Sequence, residues 1–409
     1  MQTHAIPTRR NLEFGVYRDG DNNLDASQTL AVTQALKTSA KDSTIEFTVQ
    51  NTTGLRSVHG DIVEGKTRTD SFTIDDGTIG QANVSSAHDM ADPKNLAQFV
   101  AHTLDNAQAS GAKQTWIDLV DHGGGDGGGL ETHDGSVMAM PAIAKAIADG
   151  ISLHAKEHPE DAHRGVDGVV ANQCLMSTLG FADALSRVGV KYLAASPETM
   201  VSPGTPTTVA HDISLHSNDP KAMAQSVVHE VMHTRYGANG ATWGPAAAFD
   251  VLDTSRATMQ GIDTGVKRLD DDLISASHAD ESTHQEIRRD VNSVDGMVRF
   301  PQSQGLPWHA DRPAMAVYDV LAHDSSLSAT IRQDAKDAER AVASSVLAHA
   351  EAAHFAPFGG SSYRNAVGPT AHLPTTRQQI DPWASRGISE TKNAFYHGTD
   401  EDKLARSLA

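Results

Sequence analysis

The chain has 409 residues, too many for one ordinary core, so a large domain with a smaller appended one is the default. Its 52 acidic and 33 basic residues give a formal charge of −19, a field that repels phosphate backbones and argues against nucleic-acid binding. A single cysteine excludes an internal disulfide, and no stretch approaches the length and apolarity of a membrane span.

The first ten residues lack the apolar core of a secretory leader. The expected location is therefore cytoplasmic, or outside the cell by a route without a cleaved signal peptide. Residues 12–17 predict a strand, followed by the polar turn Arg18-Asp19-Gly20-Asp21-Asn22-Asn23. Asp25 or Ser27 suits the cap of the next helix, whose apolar positions are Leu30, Val32 and Leu36. Residues 44–50 alternate with period two and predict a half-exposed strand. Residues 55–74 predict a hairpin turning near Val63-Glu64-Gly65-Lys66-Thr67. A helix at 95–106 precedes the apolar strand Thr115-Trp116-Ile117-Asp118-Leu119-Val120 and a glycine-rich loop to about residue 136. Pro141 opens a helix to about Lys156. Gly168-Val169-Val170 predicts the next strand, 179–188 a helix, and 190–195 another strand.

This alternation predicts an α/β fold with a doubly wound, mainly parallel sheet. A break falls at Ser202-Pro203-Gly204-Thr205-Pro206. Beyond it the pattern is mostly helical, at 219–235, 254–276, 280–294, 314–322 and 326–353, with Phe249-Asp250-Val251-Leu252 returning to the sheet. The tail from 357 is rich in Gly, Ser and Pro, with one strand at 370–373. The expected division is an α/β domain over 1–210 and a helical region over 211–409 packed on the sheet.

Two of the predicted strands end in reactive side chains. One runs into Asp121-His122-Gly123-Gly124-Gly125, the other into Asn172-Gln173-Cys174-Leu175-Met176. If both strands point the same way, their C-terminal edges bring His122 and Cys174 together. A neighbouring imidazole takes the thiol proton, and thiolate is the attacking species. The N–H groups of Gly123 and Cys174 are suited to hold an oxyanion; losing one such donor typically costs about 2.7–4 kcal/mol of barrier stabilisation. Each residue also has a bland reading. A lone cysteine is most often a small buried hydrophobe. This chain has 21 histidines, most of them expected at the surface. The glycine run is not a P-loop, because no Gly-Lys-Ser/Thr follows it.

Four separated segments resemble the clostripain-type cysteine peptidases, relatives of gingipains, legumains and caspases. They are Val16-Tyr17-Arg18-Asp19-Gly20-Asp21-Asn22-Asn23-Leu24, Asp121-His122-Gly123-Gly124-Gly125, Cys174-Leu175-Met176, and Tyr192-Leu193-Ala194-Ala195-Ser196 with the later Pro203-Gly204. The resemblance implies a caspase-like α/β/α sandwich and a cysteine endopeptidase acting on protein or peptide substrates. It also implies His122 as general base and Cys174 as nucleophile, with no third orienting residue required. No cofactor is implied. Calcium dependence occurs in the family, yet no dedicated site is readable. Residues 19–25 begin like a calcium loop, but an EF-hand needs Gly where Leu24 stands and Glu where Leu30 stands. Nothing indicates an oligomeric state.

The sequence departs from the family at the specificity pocket. Asn172 stands where the family places an acid two residues before the nucleophile, and Thr205 where a second acid follows Pro-Gly. These two, with Ser196, form the expected substrate pocket. A buried guanidinium without a carboxylate is heavily penalised, so no strong preference for Arg or Lys at the cleavage site is expected. Some relatives cut themselves between the two catalytic strands; Lys145, Lys156 and Arg164 lie there, but the altered pocket disfavours them.

Two other readings stand beside this one. His229-Glu230-Val231-Met232-His233 on a helix would place both imidazoles on one face for Zn²⁺, with Glu230 activating water. Asn239 occupies the position of a third histidine in the extended motif, leaving Asp250 or Asp253 as the remaining ligand. The non-enzyme reading is a catalytically inactive caspase-fold binding protein. Loss of the pocket acids favours it, and retention of both His122 and Cys174 argues against it.

Overall fold

A computed structural model describes residues 10–56, 62–85, 89–238, 241–296, 310–352, 367–380 and 394–409. Its first strands are β1 (Leu12–Arg18), β2 (Ile45–Arg56), β3 (Ile62–Asp75), β4 (Thr78–Ile79), β5 (Asn83–Ser85) and β6 (Gln114–Val120). A short hairpin of β7 (Gly129–Glu131) and β8 (Val137–Met138) follows, then β9 (Gly168–Asn172) and β10 (Tyr192–Ala195). A second ribbon pairs β11 (Tyr236–Ala238) with β12 (Ala241–Trp243). The last strands are β13 (Ala248–Asp253), β14 (Asp311–Pro313), β15 (Val346–Glu351) and β16 (Thr370–His372).

Ten strands make the central sheet, in the order β15-β13-β10-β9-β6-β1-β2-β3-β4, with β5 also on β3. The five middle strands, β10 to β2, are parallel, and the flanks are antiparallel. The helices are α1 (Asp25–Gln28), α2 (Leu30–Ser39), α3 (Pro93–Ser110), α4 (Met140–Glu157), α5 (Leu179–Arg187), α6 (Val209–Leu215), α7 (Pro220–His233), α8 (Arg256–Ala279), α9 (Glu281–Ser293), α10 (Ala314–His323), α11 (Ala329–Ser345), α12 (Ala394–Thr399) and α13 (Glu401–Leu408).

The strands β6 and β9 are apolar on both faces because both faces are covered. Ile117 and Leu119 of β6 pack toward Phe99 of α3, Ile147 of α4, Phe181 of α5 and Ile262 of α8. Trp116 and Val120 point the other way, toward Ile213 of α6 and Val227 of α7. The result is a three-layer α/β/α sandwich. Each such side chain, fully buried, contributes about 1.5–3 kcal/mol. Local signals agree with this packing. The Asp92 side chain accepts the Lys94 N–H at 2.9 Å, Pro93 takes the first turn, and Gly111 (φ 67°) ends α3 in the left-handed region.

Four expectations are corrected. Val346-Leu347-Ala348-His349-Ala350-Glu351, which reads as the end of a helix, is β15; antiparallel pairing with β13 overrides its alanine-rich helix propensity. Val63 to Thr67 lie within β3, not at a turn, since Thr67 pairs with Gly54 of β2. Neither Asp25 nor Ser27 caps a helix: Asp25 takes the buried Arg18 guanidinium at 2.7 Å, and the Ser27 hydroxyl donates to Leu24 O. The tail holds two further helices, α12 and α13, whose Phe395, Tyr396 and Leu404 are buried. Residues 357–366, also in that tail, lie outside the described set.

Candidate active site

Strands β6 and β9 pair in parallel from Trp116↔Gly168 to Val120↔Asn172, a constant offset of 52 positions. The Asp121 N–H extends the ladder to Asn172 O at 3.3 Å. Two residues beyond the last pair stand His122 and Cys174, level with one another at the carboxyl edge of the sheet. Both line one cleft of ≈ 220 Å³, with Gly123, Gly128, Glu131 and Thr199. A Cβ added to Gly123 would lie 2.4 Å from Cys174 O and 2.9 Å from Cys174 N, so only glycine lets these backbones pass so closely. Among the described residues, no backbone carbonyl takes the N–H of Gly123 or of Cys174.

The glycine loop is held from below. Its Gly124 N–H donates to Gly128 O at 2.8 Å, and Leu130 N–H to His122 O at 3.2 Å. Asp126, four residues after His122, accepts the hydroxyl of Thr178, four residues after Cys174, at 2.5 Å. The phenol of Tyr396 donates to the other Asp126 oxygen. Burial raises the Asp126 carboxyl to about 6 although both hydroxyls favour its anion.

His122 Nε2 lies 2.7 Å from Asn23 Oδ1. An amide oxygen only accepts, so Nε2 carries the proton in this contact and Nδ1 is left as the basic nitrogen. Asn22 anchors the same turn by donating to Asp121 Oδ1 at 2.5 Å and to Glu131 O at 2.9 Å. Burial depresses the His122 pKa, and the Glu131 carboxylate partly opposes it.

The Cys174 sulfur accepts the Met200 N–H at 3.3 Å. Burial pushes the thiol up to about 11; the Met200 N–H pulls down, while the carboxylates of Glu198 and Asp121 push further up. The next residue, Leu175, is left-handed (φ 66°) and fixed by its N–H on Glu198 O at 3.1 Å. For a residue without glycine's freedom this costs on the order of 1–3 kcal/mol, a strain that clusters at functional sites. The resting site therefore holds a neutral thiol and a neutral imidazole in one cleft.

The expected pocket residues lie deeper. Asn172 and Thr205 meet: Asn172 Oδ1 accepts the Thr205 N–H at 2.7 Å, and Asn172 Nδ2 donates to Thr205 O at 3.0 Å. Ser196 is separate, buried with its hydroxyl 2.8 Å from both Glu198 O and Ala248 O. All three are buried, and Thr199 reaches the cleft in their stead.

Comparison with solved structures places this architecture. The chain superposes on a secreted C11 cysteine protease from Bacteroides thetaiotaomicron with a TM-score of 0.62 at 13% identity, covering 96% of this chain and 100% of that one. A structure of a secreted C11 cysteine protease from the same organism, in complex with an irreversible peptide inhibitor, gives 0.63 at 14% identity, covering 96% and 99%. An inactive zymogen C11 protease from Parabacteroides distasonis gives 0.62 at 15% identity, covering 97% and 99%. This chain has the C11 cysteine protease fold. No protein-family model matches the sequence, and no curated protein matches it. The likeness is thus one of architecture, the caspase-like sandwich that clostripain-type enzymes use.

Within this C11 fold the histidine pair of α7 gathers no third metal-ligating side chain among the described residues. His229 and His233 stack with ring centroids 3.9 Å apart. Glu230 turns away to take the Thr208 hydroxyl at 2.5 Å, and Asp250 is engaged by Ser177 and His349. Among the described residues, the one grouping of three metal-ligating side chains lies elsewhere, at Asp105, His154 and His158.

Three residues of the site escaped the sequence reading. Asn23 touches the imidazole. Gln173 Nε2 donates to His122 O at 3.0 Å and holds that backbone beside the nucleophile segment. Asp126 anchors the loop floor. The pair Asn22-Asn23 carried a signal, because polar residues closing a strand next to the reactive edge reach over it.

Proposed function

We propose that the chain is a cysteine endopeptidase in which Cys174 attacks the scissile carbonyl and His122 manages the proton. Nδ1 takes the thiol proton as Sγ bonds to the carbonyl carbon, and the N–H groups of Gly123 and Cys174 receive the oxyanion. Nδ1–H then protonates the departing amine, leaving a thioester. Water, deprotonated by Nδ1, attacks the thioester, and the acid product leaves as the sulfur regains its proton. Because both groups rest neutral, proton transfer accompanies attack and does not precede it. The observation that supports this reading is the shared register of β6 and β9, with His122 and Cys174 lining one cleft beside two N–H groups that no backbone carbonyl takes.

The test follows casein hydrolysis after treatment with iodoacetamide and, separately, a zinc chelator. Loss with the first and retention with the second is expected; the opposite pattern would sink the reading. No hydrolysis together with an unreactive Cys174 would favour a binding protein on the same fold. For specificity, the Asn172 amide is spent on the Thr205 backbone and offers no carboxylate, so we assign a small or uncharged side chain to the cleavage position. A peptide-library profile dominated by Arg or Lys would overturn that assignment. The described helices include none long and apolar enough to cross a membrane.

A further inference from the structure

We infer that Asp105, His154 and His158 form a binding site for one divalent transition-metal ion of the zinc class. The site is remote from the cleft. Helix α4 begins beside the glycine loop, where a Cβ on Gly128 would meet Met140 N at 2.8 Å; His154 stands in its last turn and His158 is its C-cap. A helix of 18 residues spans roughly 27 Å, so the two sites sit at opposite ends of it.

The donor set has the right chemistry and spacing. His154 and the C-cap residue His158 are four apart, and their rings stack with centroids 5.0 Å apart. Asp105 comes from α3, packed alongside. Its Oδ1 lies 2.7 Å from His154 Nδ1 and 3.3 Å from His158 Nε2. Tetrahedral ligands around Zn²⁺, bonded at about 2.0–2.1 Å, stand roughly 3.3–3.4 Å apart, so the cluster needs to open by about half an ångström.

A second observation is independent of this spacing. Metal-bound imidazoles almost always present their other nitrogen to a carboxylate or carbonyl, which fixes the tautomer. One ring does so here, and the other faces a carboxylate just beyond hydrogen-bond distance. His158 Nδ1 lies 3.4 Å from Glu160 Oε1, an oxygen that Gln108 Nε2 also holds at 2.7 Å. His154 is fully buried, and its Nε2, which has no hydrogen-bond partner, points toward Asp161 Oδ2 at 3.7 Å. Arg164 Nε fixes that same Asp161 oxygen at 2.5 Å. Three carboxylates against one guanidinium leave two negative charges around two imidazoles, which a dication neutralises. The side chains of His158 and Asp105 are 33% and 29% exposed, so a fourth position opens to water. The bound ion would join α3 to the end of α4.

The probe is CoCl₂ or ZnCl₂ alone, added to the full chain with Cys174 alkylated so that the thiol offers no ligand. One equivalent is expected by calorimetry, with visible d–d absorption for Co²⁺ and a raised melting temperature for Zn²⁺. His158→Ala, at a partly exposed position, should weaken binding at least about 100-fold, and Glu160→Gln by roughly 10-fold. The double variant His229→Ala/His233→Ala should leave it unchanged. Binding that survives His158→Ala, that vanishes with the α7 pair, or that is absent altogether would overturn the site and leave a hydrogen-bonded histidine–carboxylate cluster. Asp105→Asn gives a second check should His158→Ala lose its fold.

Discussion

The cleft at the sheet edge and the cluster at the end of α4 each bring imidazole to a partner, by opposite routes. At the cleft, His122 and Cys174 come from distant segments, and only the shared register of two parallel strands makes them level. At the cluster, the last turn of α4 and its C-cap set His154 beside His158, and one helix–helix contact adds Asp105. Carboxylates face both cluster histidines. His122 instead meets a neutral amide, and burial keeps it a free base. An unprotonated ring suits proton transfer, whereas rings framed by anions suit a cation.

The comparison breaks most sharply at the thiol. Cys174→Ala is expected to abolish peptide hydrolysis, and His122→Ala to reduce it by roughly 10²–10⁴-fold, while Co²⁺ binding stays intact in both. Residual hydrolysis near the wild-type rate in Cys174→Ala would remove the cleft from the chemistry. Next comes Gly123→Ala. Its methyl would collide with the Cys174 peptide 2.4 Å away, so kcat/KM should fall at least about 100-fold as an oxyanion donor is displaced. An unchanged rate would mean that this N–H takes no part.

Asn23→Ala sharpens the contrast between the two kinds of histidine partner. The imidazole loses its hold on Nε2, and a fall of roughly 10- to 100-fold in kcat is expected with KM little changed. Asn23→Asp should raise the His122 pKa by placing an anion beside the ring, moving the acid limb of the pH–rate profile upward. An unmoved limb would show that Asn23 merely packs. The smallest effect is on resting reactivity. With the thiol pushed to about 11, iodoacetamide alkylation of Cys174 should keep accelerating with pH across the alkaline range. The His122 pKa is lowered in the fold, so the ring stays a free base somewhat below its ordinary value near 6.5. A plateau in alkylation near pH 7 would instead reveal a preformed thiolate–imidazolium pair.

Much of this arrangement was legible beforehand, for identifiable reasons. The strands carrying His122 and Cys174 are short apolar runs followed by glycine or polar residues, and buried parallel strands leave just that trace. The doubly wound, mainly parallel sheet followed from their alternation with helices, and the α/β/α sandwich was what the resemblance implied. β15 did not, because Val346-Leu347-Ala348-His349-Ala350-Glu351 has a composition that suits a helix, and only the waiting edge of β13 decides the matter. Asn172 and Thr205 were expected as walls of a substrate pocket; their mutual hydrogen bonds were not legible, because side-chain direction at a strand end depends on the loop that crosses it, and here Thr205 folds back onto the amide. The metal-type cluster went unread because its third member comes from another helix.

Tyr396 and Asp126 are 270 positions apart, yet the phenol props the loop that carries one wall of the cleft. At elongation rates of roughly 5–20 residues per second, that prop leaves the ribosome about 14–54 s after the loop it supports. A growing chain thus exposes its sulfur before the wall opposite has a foundation. Vectorial synthesis alone leaves this wall of the cleft without its prop until position 396 has emerged.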